Sequence, residues 1–334
     1  MSKSSNQITI TRTAEFVSPR HPDKICDIIS DSILDAYLTK DQNARVAVET
    51  LGGHGDVYLV GEITSKAKVD YAKIVKTIAG DINVHTNIVE QSPEIARGVD
   101  AGGAGDQGIM VGYACDETPE HLPMEYVLAR DLCKRIFQFH PYDGKTQITV
   151  DLRYGKNGNF IKAVIRHIVI SWQGVETKQL CADLSFWLND LSANVSISKN
   201  AKVSINPAGD WNIGGFDADS GLTGRKLIVD NYGPRVPIGG GAFSGKDPSK
   251  VDRSAAYMAR KIAVDYLNER GAHEVLVYLA YALGETSPVD ATVFVDGKAE
   301  KITDYDLSPR GIIEQLDLRK PYYAERAKWG HFSA

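Results

Sequence analysis

Gly103-Ala104-Gly105-Asp106-Gln107-Gly108, followed by Ile109-Met110-Val111-Gly112-Tyr113-Ala114, decides the fold class. The first six residues fit G-x-G-x-x-G, a pattern that binds dinucleotides when a strand precedes the glycines and a helix N-terminus follows them. Here the glycines lead instead into an apolar run that reads as a strand, which excludes that arrangement. A second stretch, Gly240-Gly241-Ala242-Phe243-Ser244-Gly245-Lys246-Asp247, approaches a P-loop. Asp247 stands where a Ser or Thr would hold magnesium, and no βαβ unit surrounds it. Neither motif supports a doubly wound parallel sheet.

The rest of the chain repeats one pattern. A helix opens at His21-Pro22-Asp23, with Pro in its first turn and Ile25, Ile29, Ile33 and Tyr37 along one face. A second covers 123–139, and a third opens at Asp247-Pro248 and stops before Gly271. After each come two strand-like runs split by turn residues: 46–51 and 57–64, 147–154 and 160–171, 275–283 and 289–295. A further helix follows each hairpin, near 71–79, 177–191 and 311–318. This predicts an α+β protein of three pseudo-equivalent domains, each with helices on one face of a small, mainly antiparallel sheet. The expected divisions are 1–98, 99–214 and 215–334.

Composition narrows the function classes. The 334 residues exceed what a single core commonly supports, about 250–300 residues. Apolar residues at 43% and charged residues at 24% fit a globular protein. A net charge of −5 argues against a chain-wide nucleic-acid footprint. No apolar run approaches the roughly 20 residues of a membrane helix, and the polar start lacks a signal-peptide core. Cys26, Cys115, Cys133 and Cys181 are scattered with no CxxC pair, so a reduced, cytoplasmic protein without a zinc ribbon is expected.

Three stretches could carry chemistry. In 240–250, consecutive glycines let backbone N–H groups approach an anion beside Lys246 and Lys250, although the same residues would serve as a turn capping a helix. His21-Pro22-Asp23-Lys24, taken alone, reads as an ordinary polar helix start. Asp23, Asp27, Asp31 and Asp35 recur every four residues, and for most of them a solvated face is expected. Asp219 to Lys226 places Arg225 and Lys226 after a glycine-punctuated loop. Glu49, Glu62 and Asp106 lie in or beside strands, and oxygen ligands of this kind suit magnesium or a monovalent cation rather than zinc.

Together and in this order, His21-Pro22-Asp23-Lys24, Gly103 to Gly108, Gly221-Leu222-Thr223-Gly224-Arg225-Lys226 and the long stretch Gly239 to Tyr257 resemble the S-adenosylmethionine synthetases (methionine adenosyltransferases). The resemblance runs from about Glu15 to Phe332. It implies synthesis of S-adenosylmethionine from ATP and L-methionine, with tripolyphosphate released and then hydrolysed to pyrophosphate and phosphate. It also implies an obligate homodimer with sites between subunits, a dimer of dimers being the larger alternative, and no nucleic-acid or membrane partner. Residue by residue, His21, Lys145, Arg225 and Lys246 would be catalytic. The ATP site would comprise these with Asp106, Asp143, Gly144, Asp219, Lys226 and Ala242. Glu62, Gln91, Asp219 and Lys250 would bind methionine. Asp23 and Asp252 would hold magnesium, two ions per site, and Glu49 potassium. The alternative function is a nucleotide- or polyphosphate-binding subunit with at most tripolyphosphatase activity.

Four positions depart from the family pattern. Ser18-Pro19-Arg20 replaces a glycine-containing run before His21, and Arg20 could add a phosphate contact. Only residues 92–102 stand where a longer gating loop is usual, which suggests a more open site. Asp210-Trp211 replaces an Arg-Phe pair, and the chain ends at Ala334 without the usual acidic and aromatic tail.

Overall fold

A computed structural model of the chain describes residues 7–91 and 102–332. The expected division at 98/99 and all but the last residue of the short 92–102 segment lie outside the described residues. Twelve strands and eight α-helices are described, with one 3-10 turn, and the strands form three four-stranded sheets.

The first sheet contains β2 (Arg45–Gly53), β3 (Asp56–Thr64) and β4 (Asn83–Val89). The second contains β6 (Gly144–Tyr154), β7 (Phe160–Trp172) and β8 (Val195–Ile205). The third contains β10 (Glu274–Tyr281), β11 (Asp290–Val295) and β12 (Lys298–Lys301). The three hairpins expected from the sequence are therefore present. Each sheet is completed by a strand from elsewhere in the chain. β1 (Ile8–Val17) pairs with β6, β5 (Gly108–Cys115) with β10, and β9 (Gly221–Leu222) with β2. The leading strand of each segment thus belongs to the sheet of the next, and the third closes the cycle on the first. Pairing is antiparallel except between β3 and β4 and between β7 and β8, which are parallel. These parallel pairs are bridged by helices α2 (Tyr71–Ala79) and α4 (Thr177–Asn189).

One long helix lies on each sheet: α1 (Pro22–Lys40) against β2 and β9, α3 (Met124–Phe139) against β1 and β6, and α6 (Val251–Arg270) against β5 and β10. The approach of α6 to β5 needs Gly112, where a Cβ would meet the Ala259 carbonyl at 2.0 Å. The fold is completed by α5 (Leu227–Asp230), α7 (Pro309–Gln315) and α8 (Tyr323–Trp329). Helix α1 starts as expected, with Pro22 in its first turn, and α6 stops at Gly271 in a left-handed C-cap (φ 59°). The start of α6 is corrected, from Asp247-Pro248 to Val251. The Asp247 carboxylate accepts the Val46 N–H at 2.7 Å and the Ser249 N–H at 2.8 Å, so it fastens a turn to the edge of β2 rather than opening the helix.

The larger correction concerns the acidic face of α1. Asp23, Asp27 and Asp31 are fully buried and Asp35 is half-buried, so they are not a solvated face. Each holds a different piece of the third segment. Asp23 accepts the Leu222 N–H at 3.0 Å and Asp27 the Gly224 N–H at 2.8 Å. Asp31 accepts the Gly245 N–H at 2.8 Å and a two-pronged contact from Arg253 at 2.7 and 2.9 Å. Asp35 caps α8 by accepting the Tyr323 and Ala324 N–H groups at 3.0 and 2.9 Å. Burying these carboxylates is tolerable only because each finds donors.

Arg253→Met would leave the Asp31 carboxylate buried without its cation. We expect a loss of about 3–5 kcal/mol in urea unfolding, the range for breaking one side of a buried pair. Arg270→Met, which removes an exposed pair with Glu300, should cost under about 1 kcal/mol. Equal midpoints for the two variants would contradict the anchoring role of Asp31.

Candidate active site

His21 is the N-cap of α1, its Nδ1 accepting the Asp23 N–H at 3.2 Å. That bond leaves the ring proton on Nε2. Burial, reinforced by Lys226 and Lys145 and only partly opposed by Asp23 and Asp219, lowers the His21 pKa to about 4, so the imidazole is neutral at pH 7. Beside it, burial works against the Asp23 carboxylate, but Lys226 at 2.6 Å and the Leu222 N–H hold its pKa below the usual value. Arg225 Nε lies 3.0 Å from the other Asp23 oxygen. Asp143, whose pKa burial raises, accepts the Gly215 N–H at 2.9 Å and lies near Asp219 and Lys145. The structure thus brings His21, Asp23, Asp143, Gly144, Lys145, Asp219, Arg225 and Lys226 together at the start of α1. A cavity of about 480 Å³ opens beside them, lined by Glu15, Gln147, Arg225, Lys226, Leu227 and Pro234 among others.

The glycine-rich turn forms a second group. Residues 245–247 run along the edge of β2, with Lys246 opposite Ala47. Lys246 Nζ is 2.6 Å from Asp252, whose other oxygen accepts the Gly241 N–H at 3.2 Å. A Cβ at Gly240 would come within 2.8 Å of the same carboxylate. The Asp252 carboxylate therefore lies where glycine N–H groups and a lysine would receive an anion. Lys250 is the N-cap residue of α6, and its ammonium pairs with Asp247. Ala242 joins the two groups, since a Cβ at Gly224 would strike its own Cβ at 2.4 Å.

Glu49 and Glu62 stand apart from both groups, on the face of the first sheet opposite α1. Ala47 is opposite Glu62 and Val60 opposite Glu49, so both carboxylates share that face. Gln91 follows β4 by two residues, and its Oε1 is buried with no hydrogen-bond partner among the described residues. Asp106 is exposed and caps the Gln107 N–H at 2.8 Å, two residues before Gly108, whose Cβ would lie 3.8 Å from Asp252. The same sheet face carries Leu51, Tyr58, Val60, Val89 and Leu222, each 36–56% exposed.

Two of the departures have structural roles. Arg20 donates to the Ile78 carbonyl at 2.7 Å and lines a separate cavity with Lys134 and Trp329. Asp210 accepts from Asn206 at 2.9 Å and Thr177 at 3.1 Å, fastening the connection to the start of α4. Sequence reasoning missed Lys24, Asp27, Asp31 and Arg253, which hold the site loops from beneath. A signal was present: residues 25–39 contain no Lys, Arg, Glu or Gln, whereas a solvated helical face ordinarily carries such long side chains. The four cysteines are free. No helix among the described residues is long and apolar enough to cross a membrane.

Sequence models of the S-adenosylmethionine synthetase N-terminal, central and C-terminal domains match residues 9–96, 101–211 and 213–334. The chain is 42% identical to an S-adenosylmethionine synthase of Brachyspira hyodysenteriae, covering 96% of this chain and 92% of that protein. The solved structure of an unusual S-adenosylmethionine synthetase from Campylobacter jejuni superposes with a TM-score of 0.84 at 34% identity, over 96% of this chain and 94% of that one. On sequence and fold alike, the chain belongs to the S-adenosylmethionine synthetase family.

Proposed function

We propose that this methionine adenosyltransferase joins the sulfur of L-methionine to the ribose 5′ carbon of ATP in one in-line displacement. The triphosphate leaves whole and is then cleaved to pyrophosphate and phosphate. The observation that carries the reading is the gathering of Lys145, Arg225 and Lys226 around a neutral His21 at the N-terminus of a 19-residue helix. A thioether sulfur that becomes a sulfonium loses no proton, so no general base is needed. The barrier lies in negative charge growing on the departing oxygen. Donors fixed in advance are what such a transition state requires. His21 offers Nε2–H to that oxygen, with Lys145 and the Arg225–Lys226 pair on the phosphates. Lys246 and the Gly240–Gly241 backbone would take the far end of the chain. Asp143, Gly144, Asp106 and Ala242 are assigned to the nucleoside. Glu62 and Asp219 suit the ammonium of methionine, Lys250 its carboxylate, and Gln91 completes that site.

The residues fit a hard cation. Among the described residues no three His, Cys, Asp or Glu side chains converge on one point, but Asp23 and Asp252 each present a carboxylate now neutralised by lysine. Magnesium is commonly held by one or two carboxylates together with substrate phosphates. When phosphates draw Lys226 and Lys246 away, those oxygens are free for it, two ions per site. Bound there, magnesium would neutralise phosphate charge. Glu49, exposed on the sheet face, is assigned to potassium.

The site is completed by a second subunit. The Asp23 group adjoins β9, which pairs with Leu51, whereas Lys246 adjoins Ala47, four residues or about 13 Å along the same strand. Both groups border the sheet face that exposes Leu51, Tyr58, Val60, Val89 and Leu222. Exposed apolar side chains interspersed with the Glu49 and Glu62 carboxylates favour an isologous partner that covers this face.

Incubation with ATP, methionine, magnesium and potassium should yield S-adenosylmethionine. Nucleotide binding with phosphate release but no synthesis would refute the reading. Asp23→Asn keeps an acceptor for the Leu222 N–H, so the fold should persist while synthesis falls by about 10²-fold. Near-normal turnover at saturating magnesium would remove Asp23 from the metal site. Mixing inactive His21→Ala and Lys246→Ala proteins should restore part of the activity through hybrid sites. No recovery after verified subunit exchange would count against shared sites.

A further inference from the structure

The segment 224–230 carries Arg225 and Lys226, and one buried ion triad grips both of its ends. At the near end, Asp27 accepts the Gly224 N–H at 2.8 Å. Gly224 is in the left-handed region (φ +76°) and packed against Ala242, so no other residue type would fit the turn. At the far end, Lys24 donates to Asp230 at 2.5 Å and also lies 3.1 Å from Asp27. All three side chains are fully buried, and none lines the cavity beside the site. Two carboxylates facing one ammonium in a dry interior are a poor device for stability, because desolvation offsets most of their attraction. They are a good device for fixing one conformation of the chain between them. Burial, with Asp230 adding to it, pushes Asp27 up to about 7 against the pull of Lys24, and the contact that reaches the loop is its Oδ1 on the Gly224 N–H.

We propose that Lys24, Asp27 and Asp230 form a clamp that positions the Arg225–Lys226 pair for the phosphates of the nucleotide, with Asp27 as its principal positioning residue. This rests on the reading that Arg225 and Lys226 bind phosphate. It adds residues that never meet the substrate and act only through the backbone of Gly224 and the helical turn ending at Asp230.

The test compares the wild-type enzyme with Asp27→Asn, Asp27→Leu and Asp27→Ser, reading ATP affinity by calorimetry and the KM for methionine. Asn keeps the acceptor for the Gly224 N–H but turns its amide N–H groups toward the Lys24 ammonium, 3.1 Å from the oxygen replaced, so its ATP affinity should fall between wild type and Leu. Leu and Ser lose the bond and should weaken ATP binding by about tenfold or more, the equivalent of one good hydrogen bond, while the methionine KM moves less than about twofold. Unchanged ATP affinity in a folded Leu or Ser variant overturns the clamp. So does an equal loss for both substrates. Hydrogen exchange on the free wild-type enzyme needs no variant. The Gly224 amide should be among the protected ones, and free exchange there would also overturn the proposal. A wild-type enzyme that binds ATP but makes no S-adenosylmethionine would instead fail the parent reading, leaving the clamp to be judged on the ATP affinities and the exchange data.

Discussion

The four aspartates of α1 are the constraint on which the rest depends. A helix ordinarily buries one stripe and solvates the other. Here Ile25, Ile29, Ile33 and Tyr37 face one way, while Asp23, Asp27 and Asp31 are buried on another side. The aspartates take hold of loops some 200 to 290 residues away in sequence. Short acidic side chains suit the task because they reach backbone N–H groups without displacing the packing around them. The glycine-rich loops could adopt many conformations. Hydrogen bonds to Leu222, Gly224 and Gly245 select one, and the cations that follow those glycines are placed as a result.

The cyclic exchange of leading strands explains why the candidate site residues collect where they do. β9 delivers the Gly221–Lys226 loop to the start of α1, and the edge of β2 receives residues 245–247. Both events happen on one sheet, at opposite ends of one strand. The central segment contributes Asp143 and Lys145 at the start of β6, which pairs with β1 shortly before β1 leads into α1. Residues from all three segments thus converge because the sheets are shared.

Much of this was legible in the sequence. The hairpins declared themselves through turn residues between β-branched runs, and α1 through His21-Pro22. The strand after Gly108 argued correctly against a parallel nucleotide fold. The site positions rested on motif resemblance, and the structure gathers most of the charged ones into two groups. The sharing of strands was not legible, since a strand carries no mark of the sheet it will join and β9 is only two residues long. The buried acids were misread because a four-residue spacing of aspartates looks the same facing water or facing donors from distant loops. Asp247 was misread for a related reason: Asp-Pro is a good helix start, but its carboxylate had been claimed by Val46.

Strand sharing also governs how the chain can acquire its structure as it is made. β1 emerges from the ribosome more than 120 residues before its partner β6, and β2 waits for β9, about 170 residues on. The sheet that carries α1 therefore keeps an unpaired edge, and α1 keeps charged carboxylates without donors, until most of the polypeptide has been translated. Synthesis at about 5–20 residues per second makes that interval many seconds long. Folding is in this sense a closing event rather than a sequential one: the last third of the chain completes the first, and a product truncated before β9 keeps an open sheet edge and acids without their donors.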